Sequence, residues 1–397
     1  MTDRAAPVAA SAALRVDPVA LTQALVRCPS VTPHDAGTLD LIEAPLQAMG
    51  FHTWRRKIAA PGTEAVHNLF ARRGEGAPHF CFAGHSDVVP VGHPEAWQVD
   101  PFAGEIVDGA VVGRGAADMK GAIAAFIAAV ATYVGERGAD SSGSISMLIT
   151  GDEEGPAING TAAMLPWMAD KGHIPDFCLV GEPTNPSRLG EMVKIGRRGS
   201  LNARLVVEGH QGHVAYPHLA ENPIPRLMRL LDALLAEPLD AGSIYFQPSH
   251  LEITNLKVDN HATNVIPGCA EAWFNIRYND LHSADSLETW LHDRLRTTGL
   301  DYELDIVVMG EAFRTPPGTL TEAVAGAIEE RLGRRPELST TGGTSDARFI
   351  RAYCPVVEFG LVGATMHKAN EAAAIADILA LKDIYLGVLR RILAPGD

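Results

Sequence analysis

HFCFAGHSDVVP, residues 79–90, is a short apolar run of strand length that ends in glycine, histidine and aspartate. Bounded by Gly in this way, it reads as a buried strand. The pattern recurs. SISMLITGDEE (144–154) ends in Glu153 and Glu154, DFCLVGE (176–182) in Glu182, and VVEFGLVGATMH (356–367) in His367. Asp118 stands in VVGRGAADMKG, residues 111–121. In open α/β sheets the chemistry gathers in the crevice beyond the carboxyl ends of the strands. Several strands can therefore deliver a His and carboxylate cluster to one point, as a metal centre requires.

Working outward, residues 17–49 carry two helical patterns, and Gly50 is a stop for the second. From about residue 66 to 182, strands alternate with helices, which favours a mostly parallel sheet. The clearest helix is KGAIAAFIAAVATYVGER (120–137), apolar almost all round. The texture changes near Gly199. SLNARLVVEG alternates polar and apolar, as a half-buried antiparallel strand does, and HLEITNLKV and AEAWFNIRY follow, interleaved with helices at PIPRLMRLLDALL and SADSLETWLHDRLRTTG. After about residue 311 the first texture returns, with TLTEAVAGAIEERLG, VVEFGLV and a closing helix over AAAIADILALKDIYLGVLRRIL. His367 lies in this last part yet is needed beside His85. The expected fold is an α/β catalytic domain with a mostly parallel sheet (1–198 and 312–397), interrupted by an inserted α+β domain (199–311).

Composition bounds the function. A chain of 397 residues exceeds one ordinary core and suffices for two domains. A formal net charge of -15 disfavours nucleic acid, whose partners carry a basic face. The five cysteines (Cys28, Cys81, Cys178, Cys269, Cys354) are odd in number and dispersed, which argues against a disulfide framework and for a reducing compartment. The start, MTDRAAPVAASAALRVDP, lacks the apolar core of a signal peptide. No run is read as approaching the roughly 18 apolar residues of a membrane span. A cytoplasmic protein without a membrane partner is expected.

His85 and Asp87 are two apart, so on extended backbone they share a face. His85 reads as a ligand and Asp87 as the carboxylate that fixes its tautomer; a polar surface turn is the plain alternative. Asp118 can bridge two cations with its two oxygens, or cap the helix that follows. Glu153 and Glu154 are adjacent and on extended backbone would point opposite ways, one toward a metal and one toward the reacting centre; a solvated acidic turn is the alternative. Together, His85, Asp118, Glu154, Glu182 and His367 form a set without thiolate that suits zinc, cobalt or manganese and hydrolytic chemistry.

GHSDVVP, GRGAADMKG, ITGDEEG, GEPT, GRRGSLNARLVVEGHQGHVAYPHLAENP, TNVIPG, TGGTSDARFI and EFGLVGATMHKANE together resemble the M20 metallopeptidase family, over roughly residues 17 to 392. The resemblance implies a zinc-hydrolase catalytic domain interrupted by a dimerisation domain, a homodimer, and two Zn2+ ions that Co2+ or Mn2+ can replace. One ion would take His85 and Glu182, the other Glu154 and His367, with Asp118 bridging. Glu153 would be general base and acid, Asp87 would support catalysis, and His213 would reach the partner's site to help hold the oxyanion. A cis peptide is implied at Asp118–Met119.

GRRGS, GHQGHVAYPH and HKANE point to the branch of the family that hydrolyses a small succinylated amino acid. By its pattern Lys194, Arg197, Ser200, Tyr216, Asn264, Arg277, Gly343 and Thr344 would line the substrate site. On the residues alone, one of Arg197 and Arg198 is read as solvated charge, with Arg197 the functional one. Gly363 departs from the pattern, standing where many relatives carry Asn, as do Ala347 and Ser86. A deacylase for acetylated amino acids would use the same metals. A non-catalytic dimeric binding protein for an amino acid or peptide would not need Glu153.

Overall fold

The computed structural model describes residues 15–137 and 143–394. The opening stretch through residue 14, read above for a signal peptide, lies outside the described residues. Contacts divide the chain into two compact units: residues up to 195 with 315–338 and 345 onward, and residues 196–314 with 339–344.

The first unit is built on an eight-stranded sheet in the order His52–Ile58, Val66–Arg73, Ser144–Thr150, His79–His85, Phe177–Val180, Val356–Glu358, Met192–Lys194, Glu337–Ser339. The four strands from Ser144–Thr150 to Val356–Glu358 are parallel. Antiparallel strands flank them. His79–His85 and Ser144–Thr150 are buried at every position, as strands covered on both faces must be. The next parallel strand in the chain, Ser144–Thr150, lies on one side of His79–His85, and Phe177–Val180 on the other. His85 therefore ends the strand at a topological switch point, where such sheets open a crevice.

The helix Gly121–Arg137 is buried on nearly every side. Phe126 stacks on Phe82 with ring centroids 4.4 Å apart, and Tyr385 of the helix Ile375–Leu393 meets both rings edge-on. Each such ring, fully buried, contributes about 1.5–3 kcal/mol. One expectation needs correction here. Residues Ala116–Arg137 include an 18-residue window of mean hydropathy 1.4, long and apolar enough to cross a membrane. Alanines supply that hydropathy without bulk, so the stretch does not look like a span by eye. In the structure 89% of the window is buried in protein.

The second unit holds a four-stranded antiparallel sheet in the order His250–Lys257, Cys269–Tyr278, Gly199–Glu208, Glu303–Gly310. Cys269–Tyr278 alternates buried and half-buried along its length, and its buried set packs under the leucines of Pro223–Leu235 and Ala284–Arg296. The strand Glu303–Gly310 was not read from the sequence. It lies at the sheet edge, and Val307, Val308 and Met309 are exposed, which breaks the alternation that marks a half-buried strand.

Candidate active site

His85 closes its strand, Glu153 and Glu154 follow Ser144–Thr150, Glu182 follows Phe177–Val180, and His367 comes after Val356–Glu358. Four neighbouring parallel strands thus aim their carboxyl ends at one place. Asp118 arrives from the 113–121 segment. Its backbone is non-helical (φ -125°, ψ 94°) and the Asp118–Met119 peptide is cis.

His85 Nε2 lies 3.2 Å from Asp118 Oδ1 and 3.6 Å from Glu182 Oε1. His367 Nε2 lies 3.2 Å from Asp118 Oδ2 and 2.8 Å from Glu154 Oε1. The two oxygens of Asp118 therefore serve different imidazoles, and its carboxylate does not cap the helix behind it. Donor atoms of His85, Asp118 and Glu154 fall within 4.8 Å of one another, as do those of His85, Glu153 and Glu182.

Two expectations change in detail. Glu153 and Glu154 occupy a turn rather than extended backbone. His85 Nδ1 hydrogen-bonds the backbone carbonyl of Asp87 at 3.0 Å, whereas the Asp87 carboxylate is 3.7 Å away. The carbonyl fixes the tautomer, because Nδ1–H must donate to it. The carboxylate instead accepts from Thr32 Oγ1 at 2.6 Å and from the N–H of Glu154 at 3.1 Å.

With Nδ1 committed as donor, a neutral His85 turns its Nε2 lone pair toward carboxylate oxygens. His85 Nε2, Asp118 Oδ1 and Glu182 Oε1 are all buried and have no hydrogen-bond partner. Lone pairs facing lone pairs in a dry site need a cation between them, a proton in the metal-free protein or a metal ion in its place. The residues present fit a metal centre on that ground. The charges tell the same story. Burial pulls the His85 imidazolium down, but the facing Asp118, with Glu182 and Glu153, carries it well above its usual range. Contacts to Asp118 and Glu154 push His367 up to about 10. Burial opposes ionisation of Asp118, but the two imidazoles hold it well below the usual carboxylate range. Burial, with Asp118 and Glu153, drives Glu182 well above it. Burial pushes Glu153 up to about 8, with His85 opposing and Asp346, Glu154 and Asp118 adding to the rise.

The profile of peptidase family M20/M25/M40 matches residues 81–391. The chain belongs to the M20 family. Its M20 relatives include the succinyl-diaminopimelate desuccinylase of Rhodospirillum centenum, 58% identical over 96% of this chain and 98% of that protein. Among solved structures, a tripeptidase from Staphylococcus aureus superposes with a TM-score of 0.78 at 18% identity, covering 96% of this chain and 100% of that one. A dinuclear metal-binding M20 peptidase from Bacillus subtilis superposes with a TM-score of 0.68 at 15% identity, covering 95% and 97%. The M20 family is metal-dependent, and this chain carries a candidate site for that metal.

The remaining residues of the M20 pattern fall in both units. In the first, Lys194 is buried at the end of its strand, its Nζ 2.7 Å from Met192 Sδ. A Cβ at Gly363 would stand 3.1 Å from the carbonyl of Pro183, the neighbour of Glu182. In the second, Arg197 is buried and donates to the carbonyl of Thr341 at 3.5 Å. Gly342 has φ 103°, a conformation that favours glycine, and a Cβ there would lie 2.6 Å from Arg197 Nη1 and displace the guanidinium. Arg198 is half-buried, 3.3 Å from His250 Nδ1, so neither arginine is solvated surface charge as expected for one of them. Ser200 accepts from Asn275 Nδ2 at 3.2 Å, and Arg277 Nε donates to Asn275 Oδ1 at 3.0 Å. His213, Tyr216, Asn264 and Gly343 are exposed and Thr344 is half-buried. Sequence reasoning gave no role to Arg114 or Glu371, although both lie in quoted motifs. An arginine between glycines beside an apolar run was the available signal.

Proposed function

We propose that the chain is a two-metal amide hydrolase that cleaves N-succinyl-LL-2,6-diaminopimelate to succinate and LL-2,6-diaminopimelate, in lysine and cell-wall precursor biosynthesis. Asp118 carries the chemical part of this reading: each of its oxygens faces a different imidazole at 3.2 Å. The substrate follows from 58% identity to a desuccinylase over 96% of the chain.

Zn2+ is the proposed ion, with Co2+ or Mn2+ able to replace it, since imidazole and carboxylate donors without thiolate admit all three. His85 and Glu182 would hold one ion, Glu154 and His367 the other, and Asp118 both. When bound, the ions acidify water and withdraw charge from the amide carbonyl. Glu153 takes the proton of the attacking water and returns it to the leaving nitrogen. Burial raises this carboxyl to about 8 in the metal-free protein, and bound cations would draw it down toward neutrality, where it can serve as base and acid. His213 Nδ1 accepts the N–H of Ala215 at 3.0 Å, which leaves Nε2–H as a donor. In the proposed homodimer that donor meets the carbonyl oxygen in the other subunit's site, a contribution often worth about 3 kcal/mol. Lys194, Arg197 and Arg277 meet the substrate carboxylates. Ser200, Tyr216, Asn264, Gly343 and Thr344 complete the hydrogen bonding. The free cysteines suit a cytoplasmic location.

The test is turnover of metal-stripped protein after zinc reconstitution, on N-succinyl-LL-diaminopimelate and on N-acetylornithine, with a chelator control. Zinc restores activity, the chelator removes it, and the succinylated substrate is preferred. Preference for the acetylated compound overturns the substrate; activity indifferent to chelation overturns the mechanism.

A further inference from the structure

Arg114 and Glu371 form an ion pair, Nη1 to Oε2 at 2.7 Å, with 2% and 0% of their surfaces exposed. Taking two charges out of water costs several kcal/mol per ion, and an apolar pair of similar volume often does as well. Stability therefore gives little reason for the pair, and its other contacts carry the explanation.

Glu371 Oε1 accepts three backbone N–H groups, from Gly115 at 3.1 Å, Ala117 at 3.0 Å and Asp118 at 3.1 Å. Arg114 donates to the carbonyls of Lys368 at 3.3 Å, His367 at 3.5 Å and Pro90 at 3.2 Å. Its guanidinium lies over the ring of Trp97, 5.2 Å from the centroid. One pair thus grips three segments: the one that runs on from His85, the one that bears Asp118, and the one that bears His367. The last has most need of it. His367 and Asn370 sit at φ 61° and 60°, a left-handed conformation uncommon outside glycine that His and Asn enter more readily than most residues, and that the contacts of Arg114 hold in place here.

We propose that Arg114 and Glu371 are positioning residues that fix the backbones of Asp118 and His367, so that both side chains can reach the one ion they would share. The inference rests on the metal reading above and extends it to two residues outside the ligand set. Glu371→Gln keeps the size of the side chain but turns one acceptor into a donor, so it cannot take three amides and Arg114 together. Arg114→Lys keeps the charge but replaces a planar fork with a point charge, which cannot span the three carbonyls.

The experiment is a titration of the metal-stripped full chain with Co2+, following affinity and the visible absorption of the bound ion. Both variants bind Co2+ about 10- to 100-fold more weakly than wild type, with altered absorption. Tyr385→Phe is the control. It loses a buried hydrogen bond of 2.7 Å to the carbonyl of Phe359 in the same unit, and binds Co2+ like wild type. Wild-type affinity and absorption in both variants overturns the positioning role alone. Failure of the wild type to bind Co2+ overturns the metal reading and the inference with it. If both variants fail to fold while Tyr385→Phe folds, the pair is a folding element and the positioning role is again overturned.

Discussion

The carboxylate of Asp87 accepts the backbone N–H of Glu154 at 3.1 Å, joining residues 67 apart in the chain. Its own carbonyl meanwhile orients His85 at 3.0 Å. One residue at the end of a central strand therefore sets an imidazole with its backbone and the acidic turn of the neighbouring strand with its side chain. The carboxyl is buried, which raises it to about 6, and Thr32 Oγ1 and the Glu154 N–H favour its charged form.

Asp87→Ala leaves the carbonyl in place but frees the Glu153–Glu154 turn. Metal affinity falls about 10- to 100-fold, and kcat falls with it. Asp87→Asn, which still offers an oxygen to the Glu154 N–H, lies between. Metal competition with a chromogenic chelator, run beside steady-state kinetics, checks the order of the three proteins.

Glu153→Gln separates chemistry from binding. The amide cannot take a proton, so kcat drops by about 10²- to 10⁴-fold, while elemental analysis finds the metal content of wild type. A variant that keeps more than about a tenth of wild-type kcat removes Glu153 from the base role.

Metal uptake is linked to protons. In the metal-free protein both imidazoles lie above their usual range, His367 at about 10. At pH 7 the ions must displace those protons, so affinity rises with pH and binding releases protons. The folded-state value of His367 exceeds the ordinary 6.5. Its stabilising contribution in the metal-free form is complete below about pH 6.5 and is lost as pH climbs toward 10. Calorimetry in two buffers of different ionisation enthalpy counts the protons; a count of zero contradicts this.

His79 supplies a pH response independent of the site. Burial, reinforced by Arg72, holds its imidazole down at about 4. Its Nε2 lies 2.8 Å from Ser146 Oγ. The unfolded chain binds this proton first, so stability present at pH 7 is lost between about pH 6.5 and 4, up to roughly 3 kcal/mol. His79→Gln flattens that part of the stability curve in urea titrations of the metal-free protein. An unchanged slope contradicts the assignment.

How much of this was legible in the sequence follows from what each residue's neighbours are. His85 and Glu182 could be placed at strand ends because a buried strand is apolar along its whole length and stops at glycine. The α+β texture after Gly199 showed in SLNARLVVEG, which alternates polar and apolar as a half-buried strand does. Glu303–Gly310 escaped because an edge strand with an exposed Val307–Met309 run has no clean period. The turn at Glu153 and Glu154 escaped because adjacency says nothing of backbone conformation. The grip of Glu371 on three amides 253 to 256 residues away is tertiary, and no local pattern announces it.

The long apolar helix Gly121–Arg137 shares its core with the late-made helix Ile375–Leu393. During synthesis the first is therefore complete long before its cover exists. For that interval the nascent chain presents a greasy rod that chaperones must shield. Truncations that delete the last helix are expected to aggregate rather than leave a soluble fragment.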